Sequence, residues 1–155
     1  MPPTVPIEPP GVFIDSAGFI ALYVSSDQHH QAAVACRDKT LKFSRRYTSS
    51  LVISETVAHI QRDNLLDQQD LADLINDFLK AEIWVAILPA DDELLKKRLR
   101  LVKERSDPRF SLVDATNILL MEKHRIDTIF SFDSLYDGET VMRGFNARFI
   151  QRIGP

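Results

Sequence analysis

The chain alternates short apolar runs with longer amphipathic segments, and this alternation restricts the fold more than any other feature of its 155 residues. Three runs have the length and apolar character of buried strands: VFID (12–15), EIWVAILP (82–89) and TIFSF (128–132). RYTSS (46–50) is a shorter candidate strand, and GFNARFIQRI (144–153) is expected to supply one last strand. Apolar strands that alternate with helices predict a mainly parallel sheet with helices on both faces. We therefore expect an α/β domain of three layers.

The segments between these strands predict six helices. A turn near Ser25 to Asp27 separates the first two, and Asp27 is the expected N-cap of the second helix. Ser49 or Ser50 is expected to begin the third helix, because serine side chains readily cap helix N-termini. The last four helices are expected over residues 51–66, 67–81, 90–105 and 111–124.

Length and composition predict a single globular domain. Five of the eight prolines lie within residues 1–10, which we expect to form a flexible lead-in before one domain over residues 11–155. No stretch approaches the roughly 20 continuous apolar residues of a membrane span, and the N-terminus does not have the pattern of a secretory signal. The single cysteine, Cys36, excludes an intrachain disulfide and fits a cytoplasmic protein. The net charge of −3 gives no overall signature of nucleic-acid binding.

Four acidic residues fall where a parallel sheet places its functional crevice. Asp15 ends the first predicted strand, and Asp133 ends the strand TIFSF. Asp114 lies in the first turn of a helix, and Glu55 lies in the second turn of the helix that follows RYTSS. Helices that follow strands begin at the carboxyl edge of the sheet, where ligands bind in such folds. The four carboxylates are therefore expected to converge.

Three of these acids also have a purely local interpretation. Ser111 and Asp114 form an S-x-x-D pair that would cap a helix. Asp133 would begin a turn or cap the segment SLYDG. Glu55 has His59 four residues later and would then face solvent. Each acid taken alone does not distinguish the local role from a functional one.

The four acids lack basic neighbours in the sequence. No lysine or arginine lies within VFIDSAG, SSLVISET, SLVDATN or IFSFDS, the segments that carry them. Carboxylates that crowd together without a cation repel one another and raise their own pKa values. A bound divalent cation removes this repulsion, and oxygen ligands without histidine or cysteine suit Mg²⁺ or Mn²⁺. Together the acids indicate a metal site.

Three segments carry a resemblance to a known family. VFIDSAGFIAL is an apolar strand that ends in aspartate and leads into a small-residue helix. TSSLVISETV places a helix glutamate after a Thr-Ser strand end. SLVDATNILLMEKHRIDTIFSFDSLYDG joins an S-x-x-D-A helix to a strand with an S-x-D ending. In this order, from Val12 to Ile150, the chain resembles the PIN-domain ribonucleases, in particular the VapC-type toxins of prokaryotic toxin–antitoxin pairs.

The resemblance implies a PIN-like fold and a metal-dependent endoribonuclease, a hydrolase that cleaves RNA phosphodiesters. Asp15, Asp114 and Asp133 would hold Mg²⁺ or Mn²⁺, which activates water and stabilises the leaving group. Glu55 would bind the metal or orient water, and Ser131 would position a carboxylate or the phosphate by hydrogen bonding.

Ser16 matches a polar position of the family after the first acid. Other positions depart from the family's pattern: Ala17 stands where many members have Ser, Thr or Asn. Asn117, one turn after Asp114, is polar but uncharged, and Asp137 is either a fifth acid or a turn residue. These departures concern the number of metals more than the activity.

The resemblance also implies partners: RNA, a small antitoxin that wraps the early helices, and a second copy of the chain as a homodimer. Phe19, Leu22 and Tyr23 are candidate antitoxin contacts or else core residues. A basic run, KKRLRLVKERSDPR (96–109), either attracts the RNA backbone or forms a solvated helix face. The basic residues to which these two alternatives apply are Lys96, Lys97, Arg98, Arg100 and Lys103. Arg109 lies nearer to the proposed site.

Other functions fit less well. A catalytically silent PIN-like scaffold that binds RNA or a partner protein is the alternative from another class. An aspartyl-phosphate phosphatase would want Asp-x-Asp at the first strand, where this chain has Ala17 at the second position. His29, His30 and Cys36 do not have a zinc-ligand spacing and are expected to be ordinary helix residues.

Overall fold

The fold is described from a computed structural model over residues 11–80, 84–143 and 146–154. The predicted lead-in, residues 1–10, lies outside the described residues, as do parts of the predicted elements 67–81, 82–89 and 144–153. The strands are β1 (Gly11–Ile14), β2 (Arg45–Ser49), β3 (Ala86–Leu88), β4 (Thr128–Phe130), β5 (Thr140–Arg143), β6 (Asn146–Phe149) and β7 (Gln151–Ile153). The helices are α1 (Ser16–Tyr23), α2 (His30–Lys39), α3 (Ser50–Arg62), α4 (Gln68–Leu79), α5 (Leu95–Arg105) and α6 (Leu112–Lys123).

Five strands form one parallel sheet in the order β3-β2-β1-β4-β7. The central strand β1 places Phe13 opposite Tyr47 on one side and Ile129 on the other. Val12, Phe13 and Ile14 are all fully buried. Because successive side chains of a strand point to opposite faces, both faces of the sheet are covered there. The predicted α/β fold with a mainly parallel sheet flanked by helices is confirmed.

Most of the predicted helix starts are capped by a side chain. The Ser49 hydroxyl accepts a hydrogen bond from the backbone N–H of Val52 and begins α3, as predicted. The prediction that Asp27 caps the second helix is wrong, because His29 occupies the N-cap position of α2. The Asp27 carboxylate instead accepts the backbone N–H of His29 at 2.8 Å and closes the turn before the helix.

Two other boundaries differ from the predictions. The helix predicted over 90–105 begins with a 3₁₀ turn, Asp92–Leu94, before α5. The tail supplies two strands, because the backbone changes partner at Ile150: the Ile150 N–H donates to Glu139 and the next N–H donates to Asp127. Strand β6 pairs antiparallel with β5 in a separate two-stranded sheet, and β7 joins the main sheet.

Gly18 allows α1 to lie directly against the carboxyl end of β4. A Cβ atom at this position would lie 2.6 Å from the Phe130 carbonyl oxygen and 2.8 Å from its ring. The Asp15 N–H also donates to the same carbonyl oxygen, at 3.4 Å. The start of α1 is therefore fixed on the edge of the sheet.

In the part of the chain that the structure describes, the helices are all too short or too polar to cross a lipid bilayer.

Candidate functional site

Asp15 connects the central strand to the first helix. It follows β1 in extended backbone, with φ −97° and ψ −179°, and caps α1 by accepting the Gly18 N–H at 3.0 Å. Its second carboxylate oxygen accepts the Ser131 hydroxyl at 2.8 Å. The side chain is therefore held from two sides in a site where the residue is only 5% exposed.

The Asp15 carboxyl has a raised pKa of about 7. Burial is the main cause, because removal from water disfavours the charged form. The bonds from Gly18 and Ser131 lower the pKa, and the negative charges of Asp114 and Asp133 raise it. Three of the predicted acids thus act on one another electrostatically, and we call Asp15, Asp114 and Asp133 the acidic cluster.

Ser131 links two members of the acidic cluster. It directly follows β4 and is fully buried. Its hydroxyl oxygen accepts the Asp133 N–H at 3.0 Å while its hydroxyl donates to Asp15. The Asp133 side chain is exposed and accepts the Leu135 N–H at 2.9 Å, which caps the 3₁₀ turn Ser134–Tyr136. The local role predicted for Asp133 and its place in the cluster therefore coexist.

Asp114 lies at the start of α6 and also combines two roles. The predicted capping box is present: Asp114 accepts the Ser111 N–H at 2.7 Å, and the Ser111 hydroxyl oxygen accepts the Asp114 N–H at 3.1 Å. The other Asp114 oxygen accepts the Tyr136 hydroxyl at 2.9 Å. The cap fixes the position of the carboxylate, and the tyrosine fixes its orientation.

Tyr136 is a site residue that sequence reasoning missed. The side chain is fully buried, and its pKa is raised well above the usual value, first by burial and then by the charges of Asp15 and Asp114. It therefore stays protonated and remains a hydrogen-bond donor. The Asn117 amide donates to the Tyr136 oxygen at 2.9 Å, so the tyrosine proton is left to point at Asp114. From the sequence alone, an aromatic residue in a turn segment such as Tyr136 is expected to be a core residue. No other sequence signal indicates its contact with Asp114.

The Asn117 side chain is also buried, and its carbonyl oxygen has no hydrogen-bond partner. The amide nitrogen is the end that has a partner, Tyr136, although a buried oxygen without a hydrogen bond is costly. Asn117, Tyr136 and Asp114 thus form a chain that ends on the acidic cluster.

Glu55 contacts this region through a neighbouring residue rather than directly. It lies in the second turn of α3, and one carboxylate oxygen accepts the Ser16 hydroxyl at 2.7 Å. Ser16 directly follows Asp15 and is the first residue of α1. Of the four predicted acids, Glu55 is therefore linked to the site through Ser16, and its charge is not among those that raise the pKa of Asp15.

The acidic cluster has ligands that suit a divalent cation, but they do not yet surround one point. Among the described residues, no three His, Cys, Asp or Glu side chains already form a metal-coordination group. The donor chemistry nevertheless fits a hard cation: the ligands are carboxylate oxygens, their charges repel, and none of the four acids forms an ion pair within the described ranges. The scaffold orients the carboxylates but does not close a coordination shell around one point.

Asp137 is tied into a separate ion pair. Both of its carboxylate oxygens accept hydrogen bonds from Arg152, at 2.8 and 3.1 Å. Arg152 also donates to the carbonyl oxygens of Ser131 and Gly154. Of the two predicted roles, this contact favours the turn residue over a fifth acid of the cluster.

The basic run divides into buried and exposed members. The expectation that Arg98 attracts RNA or faces solvent is wrong, because Arg98 is buried and donates to the Thr116 hydroxyl and the Asp91 carbonyl oxygen. Arg109 is exposed and forms an ion pair with Asp107 at 2.8 Å. The remaining members, Lys96, Lys97, Arg100 and Lys103, are exposed on α5.

The predicted partner contacts on α1 also divide. Phe19 is fully buried, makes T-shaped contacts with the Phe78 and Trp84 rings and belongs to the core. Leu22 and Tyr23 are half-buried and line a cavity of about 610 Å³.

Comparisons with known proteins agree with this fold. VapC20 from Mycobacterium tuberculosis, described as a sarcin-ricin loop cleaving toxin, is 20% identical over 80% of this chain and 91% of its own, with a TM-score of 0.70. FitAcB from Neisseria gonorrhoeae is 16% identical over 79% of this chain and 88% of its own, with a TM-score of 0.55. PAE2754 from Pyrobaculum aerophilum is 18% identical over 80% of each chain, with a TM-score of 0.50. At these identities the structures establish a shared fold.

Curated proteins gave no significant match. The sequence model of the PIN domain matches residues 12–137, which is most of the chain and includes all four predicted acids. The chain therefore belongs to the PIN domain family.

Proposed function

We propose that this protein is an endoribonuclease that depends on Mg²⁺ or Mn²⁺. The observation that supports the proposal best is Asp15, a buried carboxyl whose pKa is raised to about 7 beside two further acids. Burying such a group without a cation is costly, and natural chains keep this cost mainly at functional sites. A cation supplies the missing positive charge, and RNA cleavage is the reaction that the family resemblance implies.

In this proposal the acidic cluster holds the cation, and neighbouring groups fix each carboxylate. Ser131 and the Gly18 N–H orient Asp15, and Tyr136 orients Asp114. Glu55, held by Ser16, binds the ion or orients water at the margin of the site. A bound Mg²⁺ or Mn²⁺ supplies activation of water and neutralisation of charge at the scissile phosphate.

Cleavage of a broad set of RNAs by purified protein, with Mg²⁺, Mn²⁺ or EDTA, tests this proposal. We expect cleavage only with the divalent ions, and a loss of about a hundredfold or more in Asp15→Asn and Asp114→Asn. Asp38→Asn is the matched control, because it removes an exposed acid that pairs with Arg37 on α2, outside the acidic cluster. Equal rates in all proteins, or no cleavage by the unsubstituted protein, would leave a catalytically silent scaffold as the better account.

We further propose that the protein is a cytoplasmic toxin that a small antitoxin holds inactive, and that the protein also forms a homodimer. The shared fold with VapC20 supports the toxin role. The cavity of about 610 Å³ beside α1 is the surface we assign to the antitoxin, because Leu22, Tyr23 and Trp84 give it an apolar wall. Co-purification with the product of an adjacent reading frame tests the partner, and light scattering tests the dimer.

A further inference from the structure

A second cavity, of about 330 Å³, opens beside the acidic cluster. It is lined by Asp133 of the cluster and by Asp27, His29, His59 and Phe132. The volume lies at the lower end of the range for small-ligand sites, roughly 300 to 1,000 Å³. A ligand in this cavity would therefore be small and would lie next to the proposed cleavage centre.

Two aromatic rings form a stacked pair in this cavity. The His29 and Phe132 ring centroids are 4.7 Å apart, and the ring planes differ by 15°. Phe132 also makes a T-shaped contact with the Phe130 ring, with the centroids 5.5 Å apart and the planes at 80°. His29 and Phe132 are half-buried, and both line the cavity. The pair therefore gives the cavity an aromatic surface, and the contact with the buried Phe130 restrains it.

The backbone around His29 is also fixed. The Asp27 carboxylate accepts the His29 N–H, and His29 holds the N-cap position of α2 without capping the helix with its side chain. The imidazole is therefore not used by the helix start. His59, one turn after Glu55 on α3, contributes a polar group at the cavity, where it contacts Asp63 at 3.0 Å.

The acidic residues of the cavity disfavour a phosphate as its ligand. Asp27 and Asp133 line it, and no lysine or arginine is among the described residues that do. Aromatic faces, by contrast, bind nucleobases by stacking. Polar side chains at the margin are available for hydrogen bonds to a base edge.

We propose that this cavity binds one unpaired nucleobase of the RNA substrate, stacked on the His29–Phe132 pair. The inference rests on the proposed nuclease function, because the base would belong to a nucleotide whose phosphate lies at the acidic cluster. The cavity then selects for single-stranded RNA, in which bases are free to unstack, and gives the enzyme a base preference beside the cleaved bond.

The test measures RNA binding in an Asp15→Asn background, which prevents cleavage during the measurement. Asparagine caps helices as well as aspartate, so α1 keeps its start. The probes are a fluorescein-labelled single-stranded RNA of about twelve nucleotides and an abasic sugar–phosphate oligomer of the same length and charge. We expect the RNA to bind about tenfold more tightly than the abasic oligomer.

Three additional substitutions assign this preference to the cavity. His29→Ala is expected to remove most of the tenfold preference while leaving the affinity for the abasic oligomer unchanged. His29→Phe keeps an aromatic face and is expected to retain the preference, which a merely structural role of the imidazole would not predict. His124→Ala, at the exposed end of α6 away from the cavity, is the control and is expected to behave like the background protein.

The outcomes separate this inference from the nuclease proposal. A preference for bases that is unchanged in His29→Ala would overturn the inference, as would equal or undetectable binding of both oligomers by the background protein. The nuclease proposal is judged independently by cleavage with the unsubstituted protein. Cleavage without a His29-dependent preference would support the nuclease proposal and contradict the base site. A His29-dependent preference without cleavage would support the base site and contradict the nuclease proposal.

Discussion

At the scale of single residues, the site consists of carboxylates that also cap helices and a 3₁₀ turn. Asp15 caps α1, Asp114 completes a capping box, and Asp133 caps a 3₁₀ turn. A helix N-terminus carries partial positive charge, which favours a carboxylate whether or not a metal is bound. The capping interpretation and the functional interpretation of these acids are therefore compatible, and the local geometry supplies orientation for the chemistry.

The raised pKa of Asp15 predicts how stability depends on pH. The folded-state pKa is about 7 against 3.8 for the free side chain, so the folded protein holds this proton to higher pH than the unfolded chain. The stability that the protonated Asp15 contributes to the folded state is fully present below about pH 4 and is lost as the pH rises through about 7. In metal-free buffer we expect the free energy of unfolding to fall over this window, relative to Asp15→Asn, by a few kcal/mol at most.

Urea denaturation of both proteins at several pH values measures this difference. Since Asn keeps the cap and does not ionise, the variant isolates the Asp15 contribution. Parallel pH dependences in the two proteins would mean that Asp15 titrates in the folded state as it does in water.

Tyr136 is predicted to be a positioning residue for Asp114. Tyr136→Phe keeps the buried ring but removes the hydroxyl that donates to Asp114 and accepts from Asn117. Removal of such an outer hydrogen bond typically weakens metal binding by about 10- to 100-fold. Calorimetric titration with Mn²⁺ checks this, and thermal unfolding reports the structural cost separately.

Tyr23→Phe is the control for this experiment. Tyr23 also donates to a carboxylate, that of Asp77 at 2.9 Å, but this pair lies outside the acidic cluster. Equal Mn²⁺ affinities in the Tyr136→Phe and Tyr23→Phe proteins would show that the Tyr136 hydroxyl has no special role at the site.

At the scale of elements, the position of α1 depends on one glycine. In a helix interior, Gly→Ala normally stabilises by about 1 kcal/mol. At Gly18 the added Cβ would lie 2.6 Å from backbone, which cannot yield as a flexible side chain does. We expect Gly18→Ala to lower the free energy of unfolding by about 1–3 kcal/mol and to reduce any nuclease activity, because α1 carries Ser16 and begins at Asp15. A gain in thermal stability would contradict this packing argument.

Some features of the elements were predictable from the sequence, and others were not. The apolar run VFI predicted a buried strand correctly because its composition directly reflects burial on both faces. The burial of Arg98 was not predictable in this way, because its partner Thr116 lies on another helix. The same is true of Tyr136, whose role depends on contacts with α6 that no local pattern encodes. The division of the tail into two strands likewise depends on which distant carbonyl each N–H meets at Ile150.

At the scale of the whole molecule, the parallel sheet brings distant acids to one edge. β1 and β4 are neighbours in the sheet, so Asp15 and Ser131, which are 116 positions apart, meet at their carboxyl ends. This convergence was predictable from the alternation of strands and helices, because parallel strands end at the same edge. The link between Glu55 and the site was not predictable, because it depends on the side-chain contact with Ser16 rather than on topology.

The central claim is that the acidic cluster binds a divalent cation and thereby cleaves RNA. Its most direct test is the rate of cleavage of a labelled RNA as a function of Mn²⁺ concentration, measured in parallel for the unsubstituted protein, Asp114→Asn and Asp38→Asn. We predict a saturable rise that EDTA reverses in the unsubstituted protein and in Asp38→Asn, and a rate near background at all concentrations in Asp114→Asn. Undiminished cleavage in EDTA, or the same Mn²⁺ dependence in Asp114→Asn, would contradict the claim.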